Sequence, residues 1–191
     1  GIYLGYRYYE TRGYDEGITA YNDDTIKGTT TSQWANWYKA NVVYPFGHGL
    51  SYTNFEKSIV STIPSNGGTL TKDTEIKISV KVKNAGTKAG KDVVQLYYNA
   101  PYYAGKIEKS YVTLGAFDKT KLLNPGEEQT LTFTIKADDL ASYDFNDANN
   151  NGFKGYELDE GTYNIMLMEN SHTKIDSTSL NVATNIKLDK D

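Results

Sequence analysis

The residues most suited to binding a hard cation sit between positions 144 and 152: Asp144-Phe145-Asn146-Asp147-Ala148-Asn149-Asn150-Asn151-Gly152. Asp147, Asn149 and Asn151 alternate and are followed by Gly152, which matches the first half of a calcium loop, D-x-N-x-N-G. Oxygen ligands on alternate residues can wrap one cation while the glycine permits the sharp turn. The second half of the pattern departs from this. Its twelfth position is Leu158, although Glu157 and Asp159 flank it. The competing reading is an Asn/Gly-rich hairpin loop whose side chains hydrogen-bond their own backbone. A structural calcium held by Asp147, Asn149 and Asn151 is therefore one of two open readings, and no cofactor is required by either.

A second candidate is aromatic. Trp34, Trp37 and Tyr38 lie close together in a long polar stretch. Rings of this kind stack on the apolar faces of sugars, or they anchor a loop to the body of a protein. Tyr97, Tyr98, Tyr102 and Tyr103 are read as strand or interface residues instead. Other chemistries find little support. His48 and His172 are the only histidines, and neither has the neighbouring carboxylate or second histidine that marks a triad or a zinc site. His48, between two glycines, reads as a packed or hydrogen-bonded structural residue, and His172 as an exposed turn residue. The acid pairs Asp23-Asp24, Glu127-Glu128 and Asp138-Asp139 fall in turns, and adjacent residues on a strand face opposite ways. Cysteine is absent, which excludes disulfides and thiolate chemistry. A net charge of −4 argues against a nucleic-acid partner, and no apolar run is long enough to span a membrane as a helix.

These residues must be positioned by a body that is mainly β. The chain has 191 residues, of which 17 are Tyr and 17 are Gly, a pairing that favours strands and turns. Ile76, Ile78, Val80 and Val82 alternate with Lys77, Ser79, Lys81 and Lys83, so one strand face is buried and the other wet. Further strands are predicted at Phe55–Ile63, around Val93–Tyr97, at 111–117, around Leu131–Ile135, at Gly161–Met168 and at 178–183. Asn84-Ala85-Gly86-Thr87 and Asn124-Pro125-Gly126-Glu127 mark turns, and residues 138–143 one helical turn. About seven strands separated by turn signals predict an immunoglobulin-like or fibronectin-like sandwich. Ahead of it, residues 2–9 read as a strand because aromatic and aliphatic residues dominate. Residues 10–41 read as an irregular loop holding one short helical turn capped by Ser32. Residues 42–52 read as a tight junction, with Tyr44, Phe46 and Tyr52 packed around a bend set by Pro45, Gly47 and Gly49. The opening residues carry neither Met nor a signal peptide, which predicts a start inside a longer protein.

Six stretches bear a family resemblance. Gly1-Ile2-Tyr3-Leu4-Gly5-Tyr6-Arg7-Tyr8-Tyr9-Glu10-Thr11 and Tyr44-Pro45-Phe46-Gly47-His48-Gly49-Leu50-Ser51-Tyr52-Thr53 resemble the C-terminal part of family 3 glycoside hydrolases, the β-glucosidase-like enzymes. Val82-Lys83-Asn84-Ala85-Gly86, Ala89-Gly90-Lys91-Asp92-Val93-Val94-Gln95-Leu96-Tyr97, Leu123-Asn124-Pro125-Gly126-Glu127 and Gly161-Thr162-Tyr163 are similar to that family's fibronectin type III-like domain.

The resemblance implies that residues 1–43 are the tail of an α/β sandwich domain with an inserted loop, and that residues 44–191 are the junction motif and the fibronectin type III-like domain. It also implies a parent enzyme that removes terminal β-D-glucosyl or related residues with retention, through two carboxyl groups. The nucleophile belongs to a (β/α)8 barrel and the acid/base to the α/β domain before this chain, so neither is carried over. The expected role is non-catalytic bracing of those two domains, with no catalytic residue here and no hydrolysis by the fragment alone. The alternative is a stand-alone carbohydrate-binding or adhesion module. The compartment, bacterial cytoplasmic or secreted, is not readable from the sequence.

Overall fold

The computed structural model describes residues 4–15 and 33–188. Two helices come first, α1 (Tyr6–Asp15) and α2 (Gln33–Asn41). Seven long strands follow in the predicted places: β1 (Phe55–Ile63), β3 (Glu75–Asn84), β4 (Val93–Asn99), β5 (Thr113–Lys119), β6 (Glu128–Lys136), β9 (Gly161–Met168) and β10 (Lys174–Val182). Four short strands were not foreseen: β2 (Gly68–Thr69), β7 (Ser142–Asp144), β8 (Gly155–Leu158) and β11 (Ile186–Leu188).

One sheet has the order β1-β3-β6 and the other β2-β10-β9-β4-β5. All their pairings are antiparallel except that of β10 with the two-residue β2. The two sheets face each other across one core. Ile76, Ile78, Val80 and Val82 of β3 meet Leu96 of β4, Ile165 and Leu167 of β9 and Leu180 of β10, all fully buried. Each such side chain contributes about 1.5–3 kcal/mol relative to its exposed state. Opposite Lys77, Ser79 and Lys81 stand Thr134, Thr132 and Thr130 of β6, so the outer face of this sheet stays polar.

Strand β4 is buried on both faces. Val94 and Leu96 enter the core between the sheets, while Tyr97 joins Val112, Met166 and Met168 in a second cluster on the far side, with Tyr6 of α1 packed against it. Here the expectation of a strand over residues 2–9 fails for its described part, which is helical from Tyr6; residues 2 and 3 lie outside the described residues. Tyr6 and Glu10 lie one helical turn apart, on the face that docks onto the sandwich, while Tyr8 is half-buried and Tyr9 exposed, so the aromatic run belongs to a partly covered helix and not to a strand. The short helical turn within 10–41 is the helix α2, and Ser32 lies outside the described residues, as do Asp23 and Asp24. The predicted turn at 138–143 begins as a 3-10 helix (Ala137–Leu140) and continues as β7.

The strands β11-β8-β7 form a third, small sheet. It carries the Asn-rich segment as the connection between β7 and β8, which pair with Ser142 opposite Glu157 and Asp144 opposite Gly155.

Candidate functional site: a buried carboxylate at the helix–sandwich junction

Glu10 is 2% exposed, and its carboxylate is the meeting point of three elements. It accepts hydrogen bonds from the Tyr38 hydroxyl of α2 at 2.6 Å and the Ser171 hydroxyl at 3.0 Å, and it lies 3.0 Å from Nδ1 of His172. The Tyr38 and His172 rings stack at 3.8 Å with planes 10° apart. Burial, and then the negative charge of Glu10, push the Tyr38 hydroxyl far above the usual tyrosine range, so it remains a donor. Ser171 and His172 sit in the hairpin between β9 and β10, whose tip is closed by Asn170 accepting the backbone N–H groups of His172 and Thr173. His172 is thus buried, contrary to the exposed turn expected for it. An Asn-Ser-His-Thr turn looks polar in sequence, and only the arrival of two helices covers it.

Two further side chains of α1 are fixed in the same way. The Tyr6 hydroxyl accepts the Leu114 N–H at 2.9 Å, and the Thr11 hydroxyl accepts the Tyr111 N–H at 2.9 Å. Tyr6 stacks on Phe46 at 4.4 Å, which ties the junction to α1.

The junction is held to β4 by a chain of hydrogen bonds. Gln95 donates to the Gly47 carbonyl at 2.9 Å and accepts from the Tyr97 hydroxyl at 2.9 Å. Gly47 has φ +80, and a Cβ there would lie 2.1 Å from Gln95 Oε1, so both conformation and space require glycine. Of the three aromatics expected around this bend, only Phe46 packs. Tyr52 is fully exposed, and Tyr44 is exposed and stacks on His48 at 5.1 Å. His48 is itself exposed, which corrects the packed position expected from its glycine neighbours. Between the junction and the sheet lies an open groove of about 840 Å³, lined by Phe46, His48, Leu50, Lys57, Gln95 and Phe117 among others. Lys57 is buried there in ion pairs with Asp92 at 2.9 Å and Glu169 at 2.8 Å.

The sequence candidates fall in different places. Tyr38 belongs to the Glu10 cluster. Trp37 is half-buried and stacks on Tyr9 at 6.0 Å. The side chain of Trp34 lies outside the described residues. Asp147 adopts φ +60, and its carboxylate accepts the N–H groups of Asn151 at 2.8 Å and Gly152 at 3.1 Å. Asn149 and Asn151 turn the other way, toward Asp159 and Glu157. Asp144 was not singled out as a site residue, yet it organises the loop by accepting N–H groups from Asn146, Ala148 and Asn149. Burial alone would raise its carboxyl, but these donors outweigh it and hold it below the usual aspartate range. Among the described residues, no three His, Asp or Glu side chains form a metal-binding group, and no helix is long and apolar enough to cross a membrane. Glu10 and His172 were missed because 162 positions separate them. The Glu10-Thr11 end of the first motif was the only signal available.

Comparison with known proteins is consistent with this architecture. Residues 92–171 match the fibronectin type III-like domain family. The chain is 32% identical over 190 residues to thermostable β-glucosidase B of Acetivibrio thermocellus, covering 100% of this chain and 20% of that protein. It is 37% identical over 156 residues to a β-glucosidase of Ruminococcus albus, covering 82% of this chain and 13% of the relative. The structure superimposes on β-glucosidase 3B from Thermotoga neapolitana, in complex with α-D-glucose, with a TM-score of 0.68 and 30% identity, covering 98% of this chain and 20% of that one. The chain therefore spans a fifth or less of the β-glucosidases it matches. The fold class is a fibronectin type III-like sandwich with an attached helical segment. The likeness to the β-glucosidases runs over the whole chain, so the helices and junction ahead of the sandwich are similar to a segment of those proteins as well.

Proposed function

We propose that this chain braces the catalytic domains of a family 3 β-glucosidase-type enzyme that removes terminal β-D-glucosyl or related residues. Residues 1–43 continue the α/β domain, and residues 44–191 form the junction and the bracing domain. The observation that carries the reading is the Glu10 cluster. It locks helices from outside the sandwich onto the sandwich through a buried carboxylate, so strain or motion in one body is transmitted to the other. In the junction Val43, Tyr44, Leu50 and Tyr52 remain exposed, and Phe117 is exposed across the groove from Leu50, apolar surface suited to packing against further domains of the same protein.

Glu157 and Asp159, which share the Asn149 carboxamide, are shut from solvent at 0% and 2% exposure, where no glycoside reaches them. Tyr38 is equally buried, so it serves the Glu10 cluster and not a sugar platform; Trp37 anchors α2 against Tyr9. The test is to assay the complete gene product and this chain alone on an aryl β-glucoside. Turnover is expected only from the complete protein. Turnover by the isolated chain, or a complete gene lacking a barrel-coding region, refutes the reading. Calorimetric binding of soluble β-glucan by the chain alone would instead favour the stand-alone carbohydrate-binding module.

A further inference from the structure

Three buried acids, Asp144, Glu157 and Asp159, and one buried ammonium, Lys109, gather behind the Asn-rich loop. Lys109 is committed to Asp159 and to the Pro101 carbonyl at 2.6 Å. Lys187 and Lys106 also reach this region but go to backbone carbonyls, Lys187 to Asn151 at 3.0 Å and Lys106 to Asn149 at 3.4 Å. Asp144 is satisfied by backbone N–H groups. Glu157 is not. Its Oε2 faces the loop carboxamides, and its Oε1, fully buried, has no hydrogen-bond partner among the described residues. Lys109 acts on Glu157 only from beyond ion-pair distance, and a buried carboxylate with an unpaired oxygen and no ion pair among the described residues is costly and points to something it can bind.

The surrounding distances indicate what that is. The Asn149 carboxamide lies 2.6 Å from Asp159 Oδ1 and 3.2 Å from Glu157 Oε2, and the Asn151 carboxamide lies 2.8 Å from Glu157 Oε2. An oxygen shell at calcium distances, with five ligands in its equatorial plane, has neighbouring oxygens about 2.8 Å apart. Turning each carboxamide over presents its oxygen in place of its nitrogen. We propose that Glu157, Asp159, Asn149 and Asn151 form a calcium site. Asn149 and Asn151 belong to the D-x-N-x-N-G pattern, but Asp147 does not take part, because its carboxylate already holds the loop backbone. The acids come instead from β8 and the residue after it. A divalent cation balances the two formal negative charges that Lys109 leaves on the three buried acids. Two carboxamides with two carboxylates are hard oxygen donors. Their close spacing suits calcium over magnesium, which demands a smaller, near-octahedral shell and gives up water reluctantly.

The experiment uses the chain stripped with a chelator and titrated with Tb³⁺, whose luminescence is sensitised by nearby tyrosines. Tyr163 lies against Asp159. One Tb³⁺ per chain is expected, displaced by Ca²⁺ but not by equal Mg²⁺, with thermal unfolding raised by millimolar Ca²⁺ over chelator. Glu157→Gln and Asn151→Ala are each expected to weaken Ca²⁺ binding more than about ten-fold. Absence of sensitised luminescence, equal displacement by Mg²⁺, or affinity unchanged in both variants overturns the proposal. So does loss of binding in Asp147→Asn with Glu157→Gln unaffected. If Glu157→Gln does not fold, Asn151→Ala together with the wild-type Ca²⁺ and Mg²⁺ comparison decides.

Discussion

Replacing Glu10 by alanine removes one carboxylate shared by donors on α2 and on the β9–β10 hairpin. Hydrogen bonds to a charged acceptor contribute about 1.5–3 kcal/mol each, but their sum overstates the loss. Once the helices detach, the remaining contacts cost nothing further, because local opening then precedes global unfolding. A loss of about 3–5 kcal/mol in the docking of α1 and α2 is expected, the usual cost of removing one partner from a buried polar cluster. The damage is local, since the core between the sheets does not involve Glu10.

Two probes separate the events. The chain's only tryptophans, Trp34 and Trp37, both lie on α2, so their fluorescence reads that helix, while far-ultraviolet circular dichroism is dominated by the strands. In urea the fluorescence transition of Glu10→Ala should move to lower concentration by roughly 2 M, at an m-value of about 2 kcal/mol per M. The dichroism midpoint should stay near the wild-type value. Glu10→Gln keeps an acceptor at the same place and should lose only about 1–2 kcal/mol. If Glu10→Ala leaves both midpoints at their wild-type positions, the cluster does not hold the helices and the reasoning fails. If both midpoints fall together, the helices and the sandwich are one cooperative unit.

Two further perturbations test the junction and the loop. Gly47→Ala places a Cβ where Gln95 Oε1 already sits, in a backbone conformation disfavoured for alanine; a loss of about 1–3 kcal/mol should lower the thermal midpoint by several degrees, and an unchanged midpoint would show that the junction yields freely. Asp144 titrates in the folded chain below its unfolded value of about 3.9, so its contribution is complete above that pH and is lost as the pH falls through the folded value. Comparing urea unfolding near neutrality and near pH 3, the wild type should lose more stability than Asp144→Asn, and equal losses would remove Asp144 from the account.

The sandwich was legible because its cause is local. The alternation of Ile76, Ile78, Val80 and Val82 with lysine and serine can be satisfied only by a strand with one buried face, and Asn124-Pro125-Gly126 sets a turn whatever surrounds it, with Gly126 at φ +81. The first segment was misread because residue type signals burial more strongly than it signals period. Tyr6-Arg7-Tyr8-Tyr9 satisfies either element, and the helix is selected by what Tyr6 and Glu10 meet on the sandwich. Strands β7, β8 and β11 are three or four residues long, too short to show a period, and they exist because they pair with one another.

The sequence by itself determined the seven-stranded body, its turns and the polarity of its faces, since these follow from the chain's own spacing of apolar and turn-forming residues. It also marked Asn149 and Asn151 as unusual. Tertiary structure alone decided that Glu10 meets Tyr38 and His172, that His48 is exposed while His172 is buried, and that Asn149 and Asn151 face Glu157 and Asp159 instead of joining Asp147. Burial and electrostatic pairing between groups distant along the chain depend on how whole elements pack, and no local pattern encodes which of two chemically similar carboxylates a folded loop brings within reach.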